Sequence, residues 1–79
     1  MKKLLKFETS TCQPCKVMDK TLAGMGLEIP VEKINYTKDP DLFDQYGVST
    51  VPTLVLLPSG KKLMGAKSPA EIREWLEGA

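Results

Sequence analysis

The chain has two cysteines, Cys12 and Cys15, and they stand three positions apart. A bridge between them would restrict the unfolded chain very little, because a cross-link stabilises more as the loop it closes grows longer. A small secreted domain held by disulfides carries about four to eight cysteines spread along its length. This chain must therefore fold on its hydrophobic core alone. It has 79 residues, which predicts one domain over 1–79 and leaves no room for a separate cofactor domain. At this size a single core supplies only about 3–5 kcal/mol. With 42% hydrophobic and 27% charged residues, composition is that of an ordinary globular domain rather than a disordered or collagen-like one.

Several function classes fall away on composition. The net charge is +1, which gives no basic footprint for nucleic acid. The chain has no histidine, which removes the commonest general base and the commonest metal ligand. No apolar run approaches the roughly 20 residues of a membrane helix. Met1-Lys2-Lys3-Leu4-Leu5 begins like a signal peptide, but Lys6 and Glu8 interrupt it before an apolar region can form. We expect a monomer in a reducing cytoplasm, where a close cysteine pair is catalytic or metal-binding rather than structural.

Periodicity orders the elements. Leu4 to Glu8 reads as a strand and Thr9-Ser10-Thr11 as a turn. Cys12 to about Ala23 reads as a helix, with Val17, Met18, Leu22 and Met25 on an apolar stripe, Pro14 in the first turn, and Gly24 and Gly26 at the exit. Val31 to Tyr36 is a second strand. Asp39-Pro40-Asp41 starts a helix with Leu42, Phe43 and Tyr46 inward and Gly47 at its end. Thr53 to Leu57 is apolar on both faces and belongs in the sheet centre. Pro58 to Lys61 turns into an antiparallel strand ending at Met64. Ser68-Pro69-Ala70-Glu71 is a capping box for a last helix with Ile72, Trp75 and Leu76 on its inner stripe. The order β-α-β-α-β-β-α predicts an α/β fold, a mixed four-stranded sheet with three helices. The two β-α-β steps predict parallel neighbours.

Cys12-Gln13-Pro14-Cys15 stands where a strand ends and a helix begins. Residues three apart share a helix face, so the sulfurs can meet. Cys12 falls near the N-cap, where the dipole and the free N–H groups favour a thiolate, and such thiols drop from about 8.5 towards about 3.5–7.5. A thiolate there attacks a disulfide, and its neighbour then displaces the product. Cys12 at the open end is the expected attacker and Cys15 the resolver. Two alternatives stay open. Two chains could bridge a metal or an iron–sulfur cluster through their cysteine pairs, although a single chain supplies too few zinc ligands and no metal site is expected within it. The same chemistry could also run in reverse, as an oxidant or isomerase.

These residues resemble the thioredoxin and glutaredoxin superfamily over nearly the whole chain. Cys12-Gln13-Pro14-Cys15-Lys16 is similar to the thioredoxin C-G-P-C-K signature, and Lys33, Asn35, Pro40, Tyr46-Gly47, Pro52-Thr53, Gly60 and Gly65 match further along. The short start and Thr50-Val51-Pro52 look more like glutaredoxins. The tryptophan usual before the first cysteine is Thr11 here, the buried acid of thioredoxins falls on Lys6, and the glutaredoxin double glycine is Gly65-Ala66.

The resemblance implies a compact thioredoxin-like fold and a thiol-disulfide oxidoreductase that reduces protein disulfides through a redox-active Cys12–Cys15 pair. It implies substrate contacts from Gln13, Pro14, Val51 and Pro52, with Val51–Pro52 cis and the Val51 backbone free to pair with an extended chain. No bound cofactor is implied. Electrons would come from an NADPH-dependent flavin reductase or from glutathione, and the missing double glycine favours the reductase. Partners would be proteins with disulfides, such as ribonucleotide reductase or peroxide-reducing enzymes. Lys6 and Lys33 would lie under the cysteine pair and could tune the thiolate. Otherwise each is a solvated strand lysine whose stem snorkels over apolar surface.

Overall fold

Leu4, Lys6 and Glu8 alternate with Leu5 and Phe7 along the first strand. In the computed structural model, which describes residues 2–78, that alternation sorts two separate cores onto opposite faces of one sheet. The elements are β1 (Lys3–Glu8), α1 (Gln13–Met25), β2 (Val31–Asn35), α2 (Pro40–Gln45), β3 (Thr53–Leu57), β4 (Lys61–Met64) and α3 (Pro69–Gly78). The sheet order is β2-β1-β3-β4. On one face Leu4, Leu54 and Leu56 meet Met18 and Leu22 of α1 and Ile72 of α3. On the other, Leu5, Phe7, Ile34 and Val55 meet Phe43 of α2. There the Phe7 and Phe43 rings stand edge to face at 5.0 Å, and Tyr36 meets Phe43 likewise at 5.1 Å. Both distances suit aromatic pairing. Burial on both faces puts β3 in the centre beside β1, as its apolar run predicts.

One strand direction differs from expectation. β1 and β2 are parallel, but β3 runs antiparallel to β1. A six-residue α2 is only about 9 Å long, whereas a five-residue strand spans about 16 Å. The helix therefore does not carry the chain back to the start of the sheet. β3 begins at the end where β1 and β2 finish, with Thr53 opposite Phe7.

Helix α1 outruns its expected end, passing through Gly24 to stop at Gly26, which takes the left-handed conformation at φ 61°. Met18 and Leu22 are buried in the stripe, while Val17 is 59% exposed and lies off it. Asp39 occupies the N-cap of α2 without a side-chain hydrogen bond. The capping box of α3 forms as expected. The Glu71 N–H donates to Ser68 Oγ at 3.3 Å, and the Ser68 N–H donates to Glu71 Oε1 at 3.3 Å.

The hydrogen bonds from the Ser68 backbone and hydroxyl hold the Glu71 carboxyl below its usual value. A lowered folded value means the box stabilises above the unfolded carboxylate range and is lost as acid takes the pH down through the folded one. Ser68→Ala is therefore expected to lower stability at neutral pH in urea melts, and to lower it less in acid. A cost that does not shrink with acidification would detach the cap from Glu71.

Candidate active site

The end of β1, the turn at 9–11 and the start of α1 place the cysteines at the same sheet end as the start of β3. Cys12 is the N-cap of α1, in extended backbone at φ −89° and ψ 107°. The Cys15 N–H donates to Cys12 Sγ at 3.1 Å, and Pro14 sits in the first turn, where no N–H is needed. The two cysteines are joined as a disulfide, with Cα atoms 5.2 Å apart. Cys12 keeps 9% exposure against 2% for Cys15, so the two sulfurs are unequal in access. Gln13 and Pro14 are exposed beside them.

Val51 and Pro52 arrive at this same end, just ahead of Thr53, and the Val51–Pro52 bond is cis. Val51 lies outside the β3 ladder, which begins at Thr53. The loop is fixed from both sides. Thr53 Oγ1 donates to the Thr50 carbonyl at 2.7 Å, and the Gly65 N–H donates to the Pro52 carbonyl at 2.8 Å. A cleft of about 380 Å³ opens beside Val51 against Thr9, Tyr36 and Asp44. Tyr36 stands at its rim, 53% exposed.

The lysines separate. Lys6 is not a snorkelling surface residue, because its exposure is 0%. Strand alternation points it to the α1 face between Leu4 and Glu8. Its Nζ pairs with Glu8 Oε1 and lies 2.7 Å from Asp19 Oδ1. A buried ammonium needs such partners, since an unpaired one would lose its hydration with nothing in return. Lys33, by contrast, keeps 60% side-chain exposure and reaches the cluster only through Asp19 Oδ2, at 3.6 Å. Asp19 is the residue that sequence reasoning missed. Its signal was present: a carboxylate four residues after Cys15 on a stripe otherwise apolar. Asp19 and Lys33 line a second cleft, of about 320 Å³, between α1 and β2.

Among the described residues no three acidic, histidine or cysteine side chains gather as a metal site. In the disulfide neither sulfur is the thiolate that a metal requires.

A disulfide at the mouth of the first helix, at the same end of a mixed sheet as a cis-proline loop, defines a class of small α/β domains built around one cysteine pair. The chain belongs to the thioredoxin family, whose family model matches residues 1–78. It is 35% identical over 63 residues to thioredoxin of Chlamydia caviae, a match covering 76% of this chain and 62% of that one. It is 28% identical over 80 residues to thioredoxin of Rhodospirillum rubrum, covering 92% and 77%. The chain thus spans a little under two thirds of the length of the chlamydial relative. Among solved structures, a mutant thioredoxin from Halobacterium salinarum superposes with a TM-score of 0.86 at 26% identity, over 98% of this chain and 73% of that one. Oxidised mitochondrial thioredoxin 3 from Saccharomyces cerevisiae gives 0.84 at 25%, over 99% and 78%.

Proposed function

We propose that the protein is a dithiol-disulfide oxidoreductase that reduces disulfides in other proteins. The observation that carries this is the unequal disulfide at the mouth of α1, with Cys12 the more exposed at the N-cap and Cys15 more deeply buried one turn in. In the reduced form the Cys12 thiolate attacks a substrate disulfide, one substrate thiolate leaves, and a mixed disulfide forms. The Cys15 sulfur then attacks Cys12 Sγ, restoring the internal disulfide and releasing the second substrate thiolate. Gln13 and Pro14 flank the target sulfur. Val51, outside the ladder, offers its backbone to an extended substrate chain beside Pro52. The buried Lys6 cation favours the thiolate form of the pair, and Lys33 supports it through Asp19.

The protein acts as a cytoplasmic monomer and needs no bound cofactor. Its electrons come from an NADPH-dependent flavin reductase, because Gly65-Ala66 departs from the double glycine of a glutathione groove. Its targets are disulfides of the kind that ribonucleotide reductase and peroxide-reducing enzymes form in turnover. NADPH oxidation with insulin as substrate tests both halves. We expect turnover with a thioredoxin reductase and little with glutathione and its reductase. Turnover with neither would sink the reductive reading and leave an oxidant or a cysteine-bridged module.

A further inference from the structure

We infer that Asp19 takes up the proton of the resolving thiol Cys15 and passes it to water in the cleft between α1 and β2. This rests on the dithiol reading above. Once Cys12 is held in a mixed disulfide, Cys15 must lose its proton before its sulfur can attack. Cys15 is 2% exposed, so the proton has no direct way into bulk water. Lys6, buried on the sheet face that packs against α1, cannot take it, because an ammonium has donors and no acceptor. Asp19 can. It stands four residues after Cys15 on one helix, where such neighbours share a face with Cβ atoms roughly 5–6 Å apart, so a proton can pass between them by way of water. Its Oδ1 is fixed by Lys6 Nζ at 2.7 Å, while Oδ2 looks towards exposed Lys33 at 3.6 Å. The side chain is 31% exposed and lines the cleft, so a proton received from inside has an exit.

The surrounding charges are few. β1 contributes Lys6 and, through it, Glu8; β2 contributes Lys33; β3 and α3 bring the apolar Leu54 and Ile72 to this face. Glu8 is the competing acceptor, but it lies on the strand rather than on the helix that carries Cys15. The step balances. Cys15 gives its proton to the Asp19 carboxylate, its sulfur displaces the substrate sulfur from Cys12, and two electrons leave with that substrate as a thiolate. Water in the cleft then takes the proton from Asp19.

The test is the pH profile of the second half-reaction, followed by rapid mixing of the reduced protein with a chromogenic aromatic disulfide. In Asp19→Asn, formation of the mixed disulfide should slow far less than its resolution. Resolution at neutral pH should fall by roughly tenfold or more and should recover as pH rises. Asp19→Glu should restore most of the neutral rate, which a purely structural loss would not allow. A wild-type resolution profile in Asp19→Asn would overturn the assignment, as would a Glu8→Gln variant that alone showed the pH shift. A wild type that never forms the mixed disulfide would instead refute the dithiol reading.

Discussion

Cys12→Ser is expected to abolish disulfide reduction completely, whereas Cys15→Ser is expected to halt it midway with the substrate covalently attached. The two sulfurs sit three residues apart and share a bond, yet the helix treats them differently. Cys12 Sγ accepts a hydrogen bond from the Cys15 N–H at the positive end of α1. That contact stabilises negative charge at Cys12 and has no counterpart at Cys15, whose exposure is 2%. Without Cys12 no thiolate is presented to a substrate. Without Cys15 the attack still occurs, but nothing displaces the product from Cys12. Mass spectrometry of each variant after incubation with oxidised substrate reads the difference, and the adduct should vanish on adding a small dithiol. An adduct on Cys12→Ser and none on Cys15→Ser would invert the roles.

Much of this arrangement is legible in the residues themselves. The strand–turn–helix around Cys12, the both-sided apolar run of Thr53 to Leu57, and the Ser68–Glu71 box all appear where pattern and capping rules put them. Those rules are local, and the features they describe are local. The direction of β3 is not, because a strand pattern reads the same in both senses. Only the reach of α2 decides it. Val17 leaves the expected stripe because one step along a helix turns a side chain away from the line that Met18 and Leu22 share. Lys6 is the instructive case. Strict alternation from Leu4 already sends it to the core face. Its residue type argues for water, and the contradiction resolves only once Glu8 and Asp19, from two different elements, close around its ammonium.

That closure makes Lys6 the most consequential charged residue for stability. Lys6→Met is expected to destabilise the oxidised protein by about 3 kcal/mol, the lower end of the cost of breaking a buried ion pair. The lower end applies because Glu8 and Asp19 keep 18% and 31% side-chain exposure and retain some hydration. The methionine fills the space of the lysine stem, so the loss is not one of volume. It comes from two carboxylates that lose their shared buried cation and keep only the exposed Lys33, 3.6 Å from Asp19, to offset them. Lys6→Asp should be worse, since it adds a third carboxylate at a position with 0% exposure. At this size a single core supplies only about 3–5 kcal/mol, so either change takes a large share. Neutralising the carboxylates should reverse it: Lys6→Met combined with Glu8→Gln and Asp19→Asn should recover most of the loss, because replacing a whole buried ionic group is close to neutral. Urea denaturation of the oxidised proteins at neutral pH measures all of these. A Lys6→Met cost under about 1 kcal/mol, the level of an exposed ion pair, would mean that water reaches the ammonium and that the cluster does not hold the sheet to α1.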